Sequence, residues 1–218
     1  MVWKFVLGGI FSSARSSRSR RRMVLWIFGY GSLVWRAGFE YDERVVGYIK
    51  DYKRVFYQGC TDHRGTPDNP GRAVTLVPQE GSTVWGAAYK VSGHDAEQLV
   101  LSYLALREKH YDVRALVNFF TVESSSEPAL SSVLVYIGSP NKTENKYYLG
   151  PASLEDMASQ IARSVGPTGT NYEYLFRLEK ALYEIGHEDE EIVELANEVR
   201  KLLKIWNEHQ LYINSCSN

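Results

Sequence analysis

The sequence predicts one mixed α+β domain, with a mostly β sheet or barrel first and helices packed around it. Three observations carry this. Short runs rich in Val, Ile, Tyr, Phe and Thr crowd the stretch from Val24 to Gly138, with Gly, Pro, Asp and Asn between them. Segments with apolar residues at helical spacing occupy 94–109 and most of the chain after 153. No internal repeat and no shift in composition divides the chain after Met23. At 218 residues, 44% hydrophobic and 23% charged, the chain is long enough for one packed core.

The elements follow in order. Val24 to Phe28 is wholly apolar and stops at Gly29, which suits a strand buried on both faces. Arg44–Ile49, Tyr52–Gln58, Ala73–Val77 and Thr83–Val91 read as further strands, as do Val117–Glu123 and Ser132–Gly138. His94 to Lys109 places Ala96, Leu99, Val100, Tyr103 and Leu104 at helical spacing. Ser153-Leu154-Glu155-Asp156 is a capping box opening a helix that Gly166 ends. Asn171 caps the next, with Leu175, Leu178, Leu182 and Ile185 on one face. Ile192, Leu195, Ala196, Val199, Leu202 and Leu203 mark a last amphipathic helix. The domain is therefore expected over residues 23–205, with a loosely held tail at 206–218.

Charge adds an asymmetry. The net charge is -1, yet residues 1–22 hold six basic residues and no acid, so the body that remains carries -7. An acidic body gives no electrostatic reason to expect nucleic acid or an anionic membrane as partner. No apolar run approaches the roughly 20 residues that span a bilayer, so the chain reads as soluble. Residues 1–22 are expected to stay outside the folded domain, as a disordered extension. Their Arg- and Ser-rich composition fits an organelle transit peptide, a nuclear-localisation patch, or an extension before a start at Met23. Cys60 and Cys216 alone cannot form a disulfide framework and argue for a reducing, cytoplasmic setting.

Two places carry chemistry. Gly29-Tyr30-Gly31-Ser32-Leu33 follows the buried strand, and its glycines let a ligand approach bare backbone N–H groups. Val34 stands where a dinucleotide fingerprint needs glycine, so that reading fails, and the bland alternative is a strand-ending turn. Glu108 continues the apolar stripe of Val100 and Leu104 at i, i+4 and i+8. A carboxylate facing a core is desolvated and its pKa rises, as a general base near neutral pH requires. The alternative is a helix-end Glu neutralised by Arg107, Lys109 or a more distant Arg. Arg54 and Arg72 either clamp a substrate carboxylate or line a solvated strand face. Asp62 and His63 lie in a turn, where Asp usually bonds its own backbone. His187 to Glu191 is an acidic helix start before it is a metal site. No CxxC or HExxH motif argues for zinc, and Cys60 reads as a small turn residue.

These residues resemble the ChaC branch of the γ-glutamylcyclotransferases, plant-type members above all. The resemblance rests on Tyr30-Gly31-Ser32-Leu33, on Thr61 to Pro67 running into Pro70-Gly71-Arg72-Ala73-Val74-Thr75-Leu76, on Tyr103-Leu104 with Arg107-Glu108, and on Tyr148-Leu149-Gly150-Pro151. It extends from about Val24 to Leu203. It implies cleavage of glutathione into 5-oxoproline and cysteinylglycine without metal or cofactor, a lyase reaction on a small mixed α/β barrel. It further implies Glu108 as catalytic carboxylate, Tyr30 to Leu33 as substrate loop and Arg72 as a substrate contact. Other γ-glutamyl amines, or ligand binding without catalysis, are the competing readings. Ala73 departs from the expected valine, and the basic leader is not part of the pattern. Oligomeric state is not readable from the sequence.

Overall fold

The structure is a computed structural model and describes residues 24–216, the side chains of 207–216 excepted. The basic extension at 1–22 lies outside the described residues. Strand β1 spans Val24–Gly29, β2 Glu43–Cys60, β3 Gly71–Ser92, β4 Val113–Phe119 and β5 Leu130–Ile137. Helix α1 spans His94–Arg107, α2 Leu154–Arg163, α3 Asn171–Glu184 and α4 Glu190–Cys216. A short hairpin of β6 (Val165–Gly166) and β7 (Gly169–Thr170) joins α2 to α3. The last helix runs through the segment read as a tail from residue 206.

The five long strands form one sheet in the order β2-β3-β1-β5-β4, all neighbours antiparallel except β1 and β5. Strand β1 is apolar throughout because each face of the sheet has its own core. Phe28 faces the larger core, built with α2, α3 and α4 around Leu175, Leu178, Ile161 and Ala196. Ile27 faces the smaller one, where Val100 and Leu104 of α1 meet Leu33, Val91 and Leu134. Among the described residues no helix is long and apolar enough to cross a membrane.

The expected barrel is not closed. Among the described residues, edge strands β2 and β4 are joined by one bridge, where Tyr48 and Phe120 exchange N–H···O bonds of 2.9 Å, one residue past the end of β4. Closure needs a continuous ladder, and β4 breaks register between Val117 and Phe119 just as it reaches β2. Gly47 makes even this one contact possible, because a Cβ there would stand 2.2 Å from the Phe120 carbonyl oxygen and 2.5 Å from the Phe119 ring. Gly47→Val is therefore expected to lower unfolding free energy by at least ~1–3 kcal/mol, read from the midpoint of urea denaturation.

Several boundaries differ from the sequence expectation, and Ala73–Val77 and Thr83–Val91 fall in one continuous strand, β3. Arg44–Ile49 and Tyr52–Gln58 belong to one strand, β2, bent at Asp51, whose φ is +64° and whose carboxylate accepts the Gly81 N–H at 2.9 Å. This bulge looked like a strand end in the sequence. Strand β4 begins at Val113 and ends at Phe119, four residues earlier than expected, and Val122 is exposed. Thr170 caps α3 in place of Asn171: its hydroxyl accepts the Glu173 N–H, while buried Asn171 bonds both backbone groups of Arg72 at 2.6 and 2.8 Å. Ser153 caps α2 as expected, accepting the Asp156 N–H at 3.1 Å, but the helix ends at Arg163 and Gly166 falls in the following hairpin.

Candidate active site

The turn after β1 and the end of α1 meet in one cavity of about 590 Å³. Tyr30, Gly31, Ser32, Leu33 and Glu108 all line it. Ser32 to Val34 form a single 3-10 turn, so the leading N–H groups have no intrahelical partner and no side chain caps them. Gly31 is fixed by crowding, since a Cβ would lie 2.9 Å from Val74 and 3.1 Å from the Tyr174 hydroxyl. Leu33 packs into the smaller core, and its carbonyl accepts the Tyr89 hydroxyl at 2.6 Å, which pins the turn to β3.

Glu108 is the residue that ends α1. The helix stops at Arg107, yet the Glu108 N–H still bonds the Leu104 carbonyl at 2.8 Å, so the spacing of the apolar stripe holds for one residue beyond it. The Glu108 side chain is 14% exposed. Burial pushes its pKa above the ordinary carboxylate value, and the positive charges of Arg107 and His63 offset this only in part.

Arg107 connects the two halves of the site. Its guanidinium lies 3.2 Å from Glu108 Oε1 and donates to Ser32 Oγ at 2.8 Å, to the Arg36 carbonyl at 2.9 Å and to the Ala37 carbonyl. The planar fork can serve helix end and glycine turn together, which a point charge could not. Sequence reasoning treated Arg107 only as a neutraliser of its neighbour.

A set of tyrosines completes the wall, and sequence reasoning missed three of them. Tyr30 donates to the Tyr136 carbonyl at 2.7 Å, and Tyr111 to the Val74 carbonyl at 2.8 Å. Burial, with smaller contributions from neighbouring acids, raises the pKa of Tyr30, Tyr111 and Tyr174, so these phenols stay protonated donors. The hydroxyl of Tyr136 has no partner among the described residues although the residue is 5% exposed and lines the cavity. An orphaned buried hydroxyl is costly and calls for a ligand or water to satisfy it. Only the spacing Glu108-x-x-Tyr111 hinted at any of this group; Tyr136 and Tyr174 arrive from β5 and α3.

Arg72 does not join the site. It is buried, and its Nε donates to Gln160 Oε1 at 2.7 Å while Nη1 donates to the carbonyls of Phe56 and Gly150 at 2.8 and 3.0 Å. Three of its five donors are thus engaged within the protein. Its neighbours Ala73 and Val74 line the cavity in its stead. Arg54 is likewise structural, bonded to Asp189 at 3.0 Å and to the Trp85 carbonyl. Asp189 also accepts the Ile192 N–H, so the acidic run serves as the start of α4. Asp62 is held by side chains, with His63 Nδ1 and Lys109 Nζ each at 2.7 Å.

The comparisons agree with this architecture. Residues 25–202 match the family model described as ChaC-like protein. The chain is 55% identical over 184 residues to gamma-glutamylcyclotransferase 2-1 of Arabidopsis thaliana, covering 84% of this chain and 85% of that one. It is 43% identical over 158 residues to the human glutathione-specific gamma-glutamylcyclotransferase 1, covering 71% and 68%. The crystal structure of a yeast γ-glutamyl cyclotransferase specific to glutathione superposes with a TM-score of 0.73 at 29% identity, covering 83% of this chain and 99% of that one. A turn and a buried carboxylate that line one cavity thus sit on a fold and sequence shared with these proteins, and the chain belongs to the ChaC-like family of γ-glutamylcyclotransferases.

Proposed function

We propose that the protein cleaves glutathione to 5-oxoproline and cysteinylglycine, and that it does so in the cytoplasm as a cofactor-independent lyase. One observation carries the chemistry: a desolvated carboxyl, Glu108, opens into the same cavity as the Tyr30–Leu33 turn. The names of the human and yeast relatives support glutathione as the substrate.

In a γ-glutamyl amide the α-amino nitrogen reaches the γ-carbonyl carbon and closes a five-membered ring. The substrate supplies its own nucleophile, so no triad is required. As an ammonium that nitrogen has no lone pair. Glu108, ionised, takes a proton from it; the nitrogen then bonds to the γ-carbon, and the bond from that carbon to the cysteinyl nitrogen breaks. The proton held by Glu108 passes to the departing amine; the carboxylate so restored takes the second proton from the ring nitrogen, and that proton ends on cysteinylglycine as its ammonium. The free N–H groups of the 3-10 turn and the unpartnered Tyr136 hydroxyl hold the anionic oxygens. Keeping the glutamyl chain folded is the larger gain, since well-oriented intramolecular attack is worth roughly 7–11 kcal/mol.

The test is incubation with glutathione in chelator-treated buffer, with products followed by mass spectrometry. Equal amounts of 5-oxoproline and cysteinylglycine are expected, with γ-glutamyl-alanine turned over more slowly. Preference for γ-glutamyl-alanine would reassign the substrate. Glutathione bound in calorimetry but recovered intact would make the protein a binding module.

A further inference from the structure

The rim of the cavity carries a group of side chains that the reaction above does not use. We propose that Cys60, Asp62 and His63 form a binding site for a thiophilic divalent cation, Zn²⁺ in particular, whose occupation slows turnover. The site rests on geometry alone; its effect on turnover also rests on the proposed function.

The thiol sulfur, a carboxylate oxygen and an imidazole nitrogen of these residues all lie within 4.8 Å of one another. Four-coordinate Zn²⁺ with bonds of about 2.0–2.3 Å places its ligands roughly 3.3–3.8 Å apart. The contraction needed is within the reach of side-chain rotation, because the His63 and Asp62 side chains are 50% and 25% exposed. One sulfur, one nitrogen and one oxygen are the donors that suit zinc and not the hard cations Mg²⁺ and Ca²⁺. Three protein ligands leave a fourth position, open to water or to a thiolate in the cavity.

The backbone that carries these ligands is already held. Cys60 is the last residue of β2 and pairs with Gly71, and its sulfur accepts the Arg64 N–H at 3.3 Å. The carbonyl of His63 accepts two hydrogen bonds from Thr168, at 3.0 and 2.9 Å. Lys109 occupies Asp62 Oδ2, and Oδ1, now hydrogen-bonded to His63 Nδ1 at 2.7 Å, becomes the donor oxygen once the ion takes the place of the shared proton. Asp62 and His63 line the same cavity as Glu108, so an ion between them narrows the entrance and adds positive charge beside the base.

The experiment uses the full-length chain stripped of metal. Zn²⁺ is titrated in competition with a chromophoric chelator, and Cd²⁺ is titrated while the ultraviolet thiolate-to-metal charge-transfer band is followed. One equivalent of each is expected per chain. Cys60→Ser and His63→Ala should each weaken Zn²⁺ at least ~10-fold, Cys60→Ser should abolish the Cd²⁺ band, and Cys216→Ser should change neither. Circular dichroism verifies each fold, and His63→Gln replaces His63→Ala if that variant unfolds. No stoichiometric uptake, or equal uptake by all variants, overturns the site. Glutathione turnover is then measured with free Zn²⁺ set by a chelator buffer, because the substrate thiol also binds the ion. Inhibition shifted by the same factor in Cys60→Ser supports the regulatory role, and full turnover with Zn²⁺ bound overturns it. Metal uptake is read without catalysis, so its failure is distinct from failure of the proposed activity.

Discussion

Glu108→Gln is expected to fold normally and to release 5-oxoproline from glutathione at least 10²-fold more slowly than the parent, within the roughly 10²–10⁴-fold that base catalysis supplies. Glutamine keeps the shape of the residue and cannot take a proton. Arg107 Nε faces Glu108 Oε1 at 3.2 Å, and the glutamine side-chain carbonyl can still accept from it, so the variant leaves no donor stranded. Stability adds a second reading with a definite sign. Burial raises the folded-state pKa of Glu108 above its unfolded value, so its stabilising contribution is full below the unfolded pKa and is lost as pH rises through the folded one. At neutral pH the variant should therefore unfold at the same or a higher urea concentration. Retained turnover, with product quantified by mass spectrometry, would remove Glu108 from the mechanism; a lower urea midpoint would show that the carboxylate is held for structure.

Arg107→Ala is expected to lower kcat/KM on the order of 10²-fold, because displacement of a reacting group by about 1 Å costs that much. The loss has two origins. One is the glycine turn, which the guanidinium ties to α1 through Ser32 and two backbone carbonyls. The other is electrostatic. Arg107 is the larger of the two charges that hold down the Glu108 pKa against burial, so its removal raises that pKa further. The base must be ionised to act, so the acidic limb of the kcat/KM pH profile should move to higher pH. Arg107→Lys separates the two effects: the charge returns without the fork, so the limb should move back while activity stays low. An acidic limb unmoved in Arg107→Ala would reduce Arg107 to a structural tie.

How much of the site could be read from the chain varies with sequence distance. Glu108 was visible because four residues separate it from Leu104, and the Leu104 carbonyl holds its amide in that relation even after the helix has ended. The turn at Tyr30–Leu33 was visible because an apolar strand stops there at glycine. Tyr136 and Tyr174 gave no such sign, since each looks like an ordinary core aromatic until β5 is docked against β1 and α3 against β3 and the 3-10 turn. Arg72 could not be placed for the same reason: a buried arginine looks alike in sequence whether its fork meets a ligand or the carbonyls of Phe56 and Gly150. Expected strand breaks failed where one residue absorbed the irregularity, as Asp51 does in β2 with a left-handed backbone.

Local physics, then, dictated the secondary elements, the apolar character of β1, the cap at Ser153 and the placing of a carboxylate on an apolar stripe, because each depends on contacts within a few residues. The docked structure alone decided that the sheet stays open between β2 and β4, that Arg107 bridges α1 to the turn, that Arg72 bonds Gln160 and two backbone carbonyls, and that a phenol from β5 lines the cavity of Glu108 with no partner among the described residues. Those outcomes hang on which hydrogen-bonding groups and methyl groups arrive together from distant parts of the chain, and packing at crystal-like density settles that competition only when every element is in place.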